Sequence, residues 1–370
     1  MCLASLIIFI AAGGGTGGGG ALDPIYILIM GLDAKEAIPL SSATIVGGAM
    51  SNFILNVRKG RVGTSTPLID WDLLLIMQPM LLIGAIIGTG ITNVAPTWLL
   101  CMLLVGLLSL TGFRTFQRAI KERRKETWHC CSGQSGESLS LLARERQNTA
   151  MTRKCEVPWK KVGTLFGLFC GVAVLSFIAG SHSFPSPLGI QPNTALYSIV
   201  SILPSIFLMV FSYYSSQNMV AAYQRQQYPG YIPSHGEIQW TQRSIITFPL
   251  FSMLAGMVSG MFGIGGGIIN APLLLEMGID PTATSAITAT TVLFSSAMSS
   301  CSYLLLGTLN LHFAQIMLPM GFITTWVGHV CLTKIVRHYN CPSLIIFSMA
   351  IVVSVSAVAM SVESIKALLN

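Results

Sequence analysis

Charge is what this 370-residue chain has least of: 9% of its residues are Asp, Glu, Lys or Arg, where a soluble domain carries about a quarter. So little charge cannot clothe a water-facing surface, which argues against an ordinary soluble enzyme or binding module. The six histidines are dispersed, no His, Cys and carboxylate spacing fits a metal, and no serine nucleophile elbow occurs. No metal, no cofactor and no catalytic constellation are therefore expected. The nine cysteines show no disulfide framework, and there is no N-x-S/T sequon. Met1-Cys2-Leu3 supplies no basic n-region, so a cleaved signal peptide is not expected.

Apolar runs are abundant instead, with 52% hydrophobic residues. Spanning a hydrocarbon layer takes roughly 20 apolar residues as a helix. Runs of that kind lie at 36–56, 71–93, 96–113, 162–180, 195–216, 282–306, 311–333 and 343–361. Segments 2–30 and 245–276 are apolar but interrupted by glycine. The expected fold is an all-α polytopic membrane protein, a helical bundle of about eight full spans plus two glycine-broken segments. Its expected partners are a lipid bilayer and a small solute. The net charge of +7 does not point to nucleic acid, because twelve of the 21 Lys and Arg residues fall in the polar stretch 114–161, as in a cytoplasmic loop. The start of that stretch, RTFQRAIKERRKE, has helical charge spacing and reads as a solvated extension of the preceding span or a surface-lying amphipathic helix.

An internal repeat organises the rest. Gly15-Thr16-Gly17-Gly18-Gly19 matches Gly263-Ile264-Gly265-Gly266-Gly267, and in each half a proline, Pro24 or Pro272, follows five residues after the last glycine. Gly31-Leu32-Asp33 and Gly278-Ile279-Asp280 come next, then helices rich in small and hydroxyl residues from Pro39 and Ala286. The division expected is a first transmembrane repeat at 1–113, a basic cytoplasmic loop at 114–161, connecting helices at 162–244 and a second repeat at 245–370.

Basic residues give the orientation. With both broken segments re-entrant, loops 57–70, 114–161, 224–243 and 334–342 share one side with 19 Lys and Arg, leaving Lys35 and Lys366 opposite. With both crossing fully, the split becomes 18 to 3. The re-entrant arrangement makes the repeats inverted, an architecture recurrent among transporters, and sets loop 114–161 in the cytoplasm of a plasma-membrane or endomembrane protein.

Glycine runs at membrane depth need a reason, since each glycine costs about 1 kcal/mol of helix propensity against alanine and irregular backbone is tolerated there only inside protein or beside a watery cavity. The N–H groups freed at Gly15, Gly17, Gly18 and Gly19, and at Gly263, Gly265, Gly266 and Gly267, together with half-helices beginning near Pro24 and Pro272, make a candidate anion site. Close helix packing by small residues is the competing reading. A second signal is the stripe Ser41, Thr44, Gly48 and Asn52, matched by Thr288, Thr291, Ser295 and Ser299. These side chains either hydrogen-bond an oxyanion without a buried charge or bond to their own and neighbouring helices. Asp23, opposite Ala271 in the repeat, is either a helix N-cap before Pro24 or a protonatable group coupling solute movement to a proton. Asp70 and Asp72, flanking Trp71, are expected to cap and anchor the next span, and Gln78 and Asn93 to line it or bond between helices.

SGMFGIGGGIINAPLLLEMGIDPTATSAITATTVLFSS at 259–296, its first-half counterpart AAGGGTGGGGALDPIYILIMGLDAKEAIPLSSATI, and PLIDWDLLLIMQPMLLIGAIIGTGITNVAPTW at 67–98 together resemble the sulfite exporter TauE/SafE family of membrane permeases, in particular its plant and protist branch. The resemblance implies movement of small anions, such as sulfite, sulfonates or related organic acids, with coupling to protons in prospect. Asp23 stands where the family motif is usually apolar. The reading is a secondary transporter in which one half rocks against the other. A non-transporting scaffold acting through loop 114–161, or a passive anion channel, are the alternatives.

Overall fold

The computed structural model describes residues 19–60, 67–131, 157–181, 195–226, 242–277, 279, 281–339 and the single positions 354, 357, 358 and 361. Among them the chain is helical: α1 Gly19–Met30, α2 Ala34–Asn56, α3 Trp71–Val94, α4 Thr97–Cys131, α5 Trp159–Ala179, α6 Ala195–Gln226, α7 Gln242–Phe262, α8 Gly267–Glu276, α9 Pro281–Leu305 and α10 Leu311–Tyr339. Seven of the apolar runs read from the sequence coincide with helices within a few residues at their starts. The run 343–361 lies, single positions apart, outside the described residues. α2, α3, the Thr97–Arg114 part of α4, and α5 are each long and apolar enough to cross a membrane. α4 continues unbroken from its apolar part to Cys131, so the basic start of the 114–161 stretch is a helical extension of that span.

Two helix pairs approach at glycine. Along α3 and α7, a methyl at Gly84, Gly88, Gly256 or Gly260 would overlap a carbonyl oxygen of the facing helix, those of Met253, Met257, Leu81 and Ala85 respectively. The Thr92 hydroxyl continues the contact, donating to Met261 O at 2.9 Å. Along α2 and α10, Gly47 faces Leu318, Gly48 faces Thr325, and Gly321 faces Thr44. Glycine is needed at these positions because the facing backbone, or at Gly48 the Thr325 hydroxyl, leaves no room for a Cβ. In both pairs the partner numbers rise together, so α3 runs parallel to α7 and α2 parallel to α10.

The remaining directions follow from contacts at the ends. Phe53 meets Trp71 edge to face at 6.4 Å, and Lys35 Nζ donates to Asn93 O at 3.3 Å, so α2 and α3 are antiparallel. Ile38 shares a buried cluster with Tyr303, and Ile45 and Ala49 share another with Val292 and Leu293, so α2 and α9 are antiparallel as well. Hence α7 and α9 run the same way, and the chain between them turns back. Gly266 sits beside Ala255, its Cβ position 3.2 Å from that carbonyl oxygen, although the two are eleven residues apart. At about 15 Å, ten-residue α8 runs back toward the end where α3 begins, with Leu273 and Leu274 buried in one cluster with Leu73 and Leu74.

The same end of the bundle gathers Lys59, whose Nζ lies 3.4 Å from His329 Nε2, and the Lys161–Asp72 ion pair at 2.6 Å. Asp70 caps α3 there, accepting from Asp72 N and Leu73 N at 3.2 Å, in line with its reading as a cap. Lys35 lies at the opposite end.

Candidate functional site

The break between α7 and α8 is shaped by two left-handed glycines, Gly263 at φ +63° and Gly265 at φ +73°, a conformation side chains resist. Its surroundings come from both halves of the chain. A Cβ on Gly263 would lie 2.5 Å from Ile38 O and from Ser41 Oγ, and 2.9 Å from Ser42 Oγ, all on α2. A Cβ on Gly265 would lie 2.8 Å from Val292 Cγ1 on α9. Gly266 N–H donates to Ser295 Oγ at 3.4 Å. The second-half break is thus seated between the two hydroxyl-rich helices, against residues named from the sequence in each. Gly267 opens α8 and Gly19 lies within α1, while Gly15, Gly17 and Gly18 lie outside the described residues.

α8 begins at Gly267, five residues ahead of the expected start near Pro272, and α1 is already helical at Gly19, ahead of Pro24. Each proline therefore lies inside its helix, where it withholds the N–H that the carbonyls of Gly20 and Ile268 would accept from. This places Asp23 inside α1, which overturns its reading as an N-cap. Asp23 is fully buried, close enough to Ser41, Tyr26 and Tyr303 to interact with them. Ser41 directs its proton to Ile38 O at 2.9 Å and Tyr303 donates to Gly260 O, so neither carboxylate oxygen has a hydrogen-bond partner.

The hydroxyl stripes divide by donor capacity. Thr44 donates to Leu40 O at 2.8 Å and also meets Tyr26 Oη at 2.8 Å. Thr291 donates to Thr288 O at 2.8 Å, Ser295 to Val292 O at 3.2 Å and Ser299 to Ser295 O at 2.9 Å. A hydroxyl engaged in this way presents only lone pairs to anything else, so in these rotamers it cannot donate to an anion. Thr288 and Asn52 are different, both buried and without partners. The antiparallel register of α2 and α9 sets both on the basic-end side of the break, about a turn apart in depth.

Asn270 on α8 was missed by sequence reasoning. It is fully buried with both side-chain polar atoms unpartnered. The signal was present, since a polar residue precedes the proline in each half, GALDP against GIINAP, offset by one position. Gln78 is buried without a partner, so it does not bond between helices. Asn93 is exposed and accepts from Lys35 through its backbone. At the basic end, burial lowers the Lys59 ammonium from the usual lysine value. No group of three or more His, Cys, Asp or Glu able to hold a metal occurs among the described residues.

A helical bundle with membrane-length apolar helices, closing on a buried polar centre around an interrupted helix, defines a polytopic membrane protein of transporter type. The description Sulfite exporter TauE/SafE fits the chain over residues 1–190 and 162–360, and the chain belongs to that family of membrane transporters. Among its curated relatives in Arabidopsis thaliana, Sulfite exporter TauE/SafE family protein 5 is 31% identical over 353 residues, covering 92% of this chain and 77% of the relative. Family protein 2 is 31% identical over 359 residues, covering 91% and 76%. No solved structure gives a significant match.

Proposed function

We propose that the protein is a secondary transporter of small oxyanions, with sulfite as the leading substrate and sulfonates or related sulfur-containing organic acids as candidates beside it. The observation that carries this reading is the seat of the 263–266 break between α2 and α9, with the uncharged donors of Thr288, Asn52 and Asn270 left unpartnered in the buried interior. Backbone N–H groups and neutral side chains hold an oxyanion without a fixed cation, which leaves it able to depart. The relatives' names supply the choice of sulfite.

In this reading the segments around 13–20 and 263–267 are re-entrant and oppositely oriented, and the repeats are inverted. Support comes from the antiparallel course of α2 and α9, each preceded by a helix with proline inside it. The basic segments then share the cytoplasmic face, as the common end occupied by Lys59, Lys161 and His329 favours. The two glycine seams each bind a helix of one half to a helix of the other, so the moving bodies are cross-half units rather than the two halves of the sequence. Asp23, unpartnered beside Ser41 and thus beside the break, is the group assigned to carry the coupled proton.

The test is sulfite flux into liposomes holding the purified protein, with and without a pH gradient. Expected is flux that responds to the gradient and falls about tenfold or more in Gly265→Leu, where a side chain meets both a left-handed backbone and Val292. Asp23→Asn is expected to keep flux down a sulfite gradient while losing the response to pH. Absence of flux for sulfite, sulfate and sulfonates would refute the transporter. Flux that follows membrane potential and ignores pH would make it a channel.

A further inference from the structure

The polar stripe on α2 does not stop at Asn52. Asn56 follows at the same four-residue spacing, so Ser41, Thr44, Gly48, Asn52 and Asn56 lie on one face, and Lys59 stands in the turn just beyond the end of α2. α10 answers with Gly321, Thr325 and His329, four residues apart. The two faces meet at three levels: Gly321 beside Thr44, Thr325 Oγ1 beside Gly48, and His329 Nε2 at 3.4 Å from Lys59 Nζ. Between the last two levels Asn52 is buried with both amide atoms unpartnered. A polar seam therefore runs from the depth of the break to the basic end of the bundle.

Lys59 closes that seam, and it is held in place. Its N–H donates to Asn56 O at 3.0 Å, its carbonyl accepts from Leu68 N at 2.9 Å, and its Nζ donates to Asn56 Oδ1 at 2.8 Å. Among the described residues no carboxylate pairs with it, in contrast to Lys161 on Asp72. A part-buried ammonium with neutral neighbours and an unused donor is a receptor for an anion.

We propose that Lys59, with Asn56 and Asn52, forms a second anion site at the basic end of the α2–α10 seam, which holds a small oxyanion between the break and the basic face. The proposal rests on the oxyanion-transporter reading and adds a station to it. A cation here concentrates the anion at the mouth, while the uncharged donors deeper in the seam let it move on. A lipid headgroup phosphate has the same chemistry as the free solute, so the test separates the two.

The full chain is reconstituted in phosphatidylcholine vesicles, and sulfite flux is measured against sulfite concentration. Thermal stabilisation of the detergent-purified protein by sulfite is followed in parallel. Lys59→Gln, which removes the charge and keeps a donor toward Asn56, is expected to raise the half-saturating sulfite concentration about tenfold and to weaken the sulfite-induced shift. Lys59→Arg is expected to restore both. An unchanged half-saturation in Lys59→Gln with no Lys59-dependent response to phosphatidylglycerol, or a rate lowered equally at all concentrations, overturns the site. If Lys59→Gln does not fold, Asn56→Leu, which removes the acceptor that holds Lys59 Nζ, tests the same site by the same shift in half-saturation. Adding phosphatidylglycerol separates occupants: a Lys59-dependent response to the lipid with unchanged sulfite affinity keeps the anion site and assigns it to headgroup phosphate. Should the unaltered protein show neither flux nor stabilisation by sulfite, the transporter reading fails, which is distinct from failure of this site alone.

Discussion

The α3–α7 seam and the α2–α10 seam each join a first-half helix to a second-half helix in parallel, backbone against backbone, at glycine. They differ in what lies along them. Stretches 81–92 and 253–261 contain no ionisable residue, and four glycines with the Thr92 to Met261 hydrogen bond hold the helices in contact over more than two turns. The α2–α10 seam has three glycines at mid-depth and then carries Thr325, Asn52, Asn56, His329 and Lys59 toward the basic end. Close approach of two backbones thus serves two ends: the first seam is a weld, and the second carries polar side chains that we propose flank the solute's path.

The largest expected effect comes from prising the weld apart. Gly84→Leu or Gly256→Leu sets a side chain where even a methyl overlaps the facing carbonyl. Separating two packed helices along their length is expected to cost about 3 kcal/mol or more. Thermal unfolding of the detergent-purified variants should show loss of the folded transition. A variant that kept the parent midpoint would show that the seam yields, and the distinction between weld and path would collapse.

Gly263→Ala should be next in size and different in kind. The site needs φ +63°, which costs a residue with a Cβ about 1–2 kcal/mol, and the added methyl lies 2.5 Å from Ser41 Oγ and Ile38 O. Because the clash is with α2 and not with α7, the variant should lose sulfite flux by about tenfold or more while the α3–α7 seam holds the bundle together. Flux and unfolding midpoint measured on the same preparation would separate the two outcomes. Equal losses in both would place the break among the elements that hold the fold.

The sequence made the course of the helices plain because membrane-length apolar runs are bounded by polar or proline-containing stretches, as at Thr97 and Trp159. It also exposed the glycine break at 263–266, since glycine runs at that depth have few explanations, while most of its first-half counterpart lies outside the described residues. The start of α8 was misjudged by five residues because proline commonly opens a helix, whereas here Pro272 sits in the sixth position and the helix begins at glycine, and Pro24 likewise lies inside α1. What Ser41 faces could not be read locally. Its partner, Gly263, is more than two hundred residues away, and only the seating of the α7–α8 break between α2 and α9 brings them together. The spent proton of Ser295 and the free one of Thr288 were equally hidden, because a hydroxyl's choice between its own helix and a ligand depends on rotamer rather than residue type.

The smallest effect expected bears on whether anything besides glycine contact fixes α3. Lys161 Nζ lies 2.6 and 2.7 Å from the two carboxylate oxygens of Asp72, which ties the start of α5 to the start of α3. The side chains remain 42% and 35% exposed, so water and salt screen the pair and its worth is about 0–1 kcal/mol. Asp72 also sits in the first turn of α3, where a negative charge adds a few tenths of a kcal/mol against the helix dipole. Asp72→Asn removes both terms and leaves the α3–α7 glycines untouched. A small fall in unfolding midpoint, shrinking further at high salt, would agree with α3 being held by the seam. A fall as large as that in Gly84→Leu would mean that the basic end carries the weld, and that α3 is anchored by charge at its start rather than by backbone contact along its length.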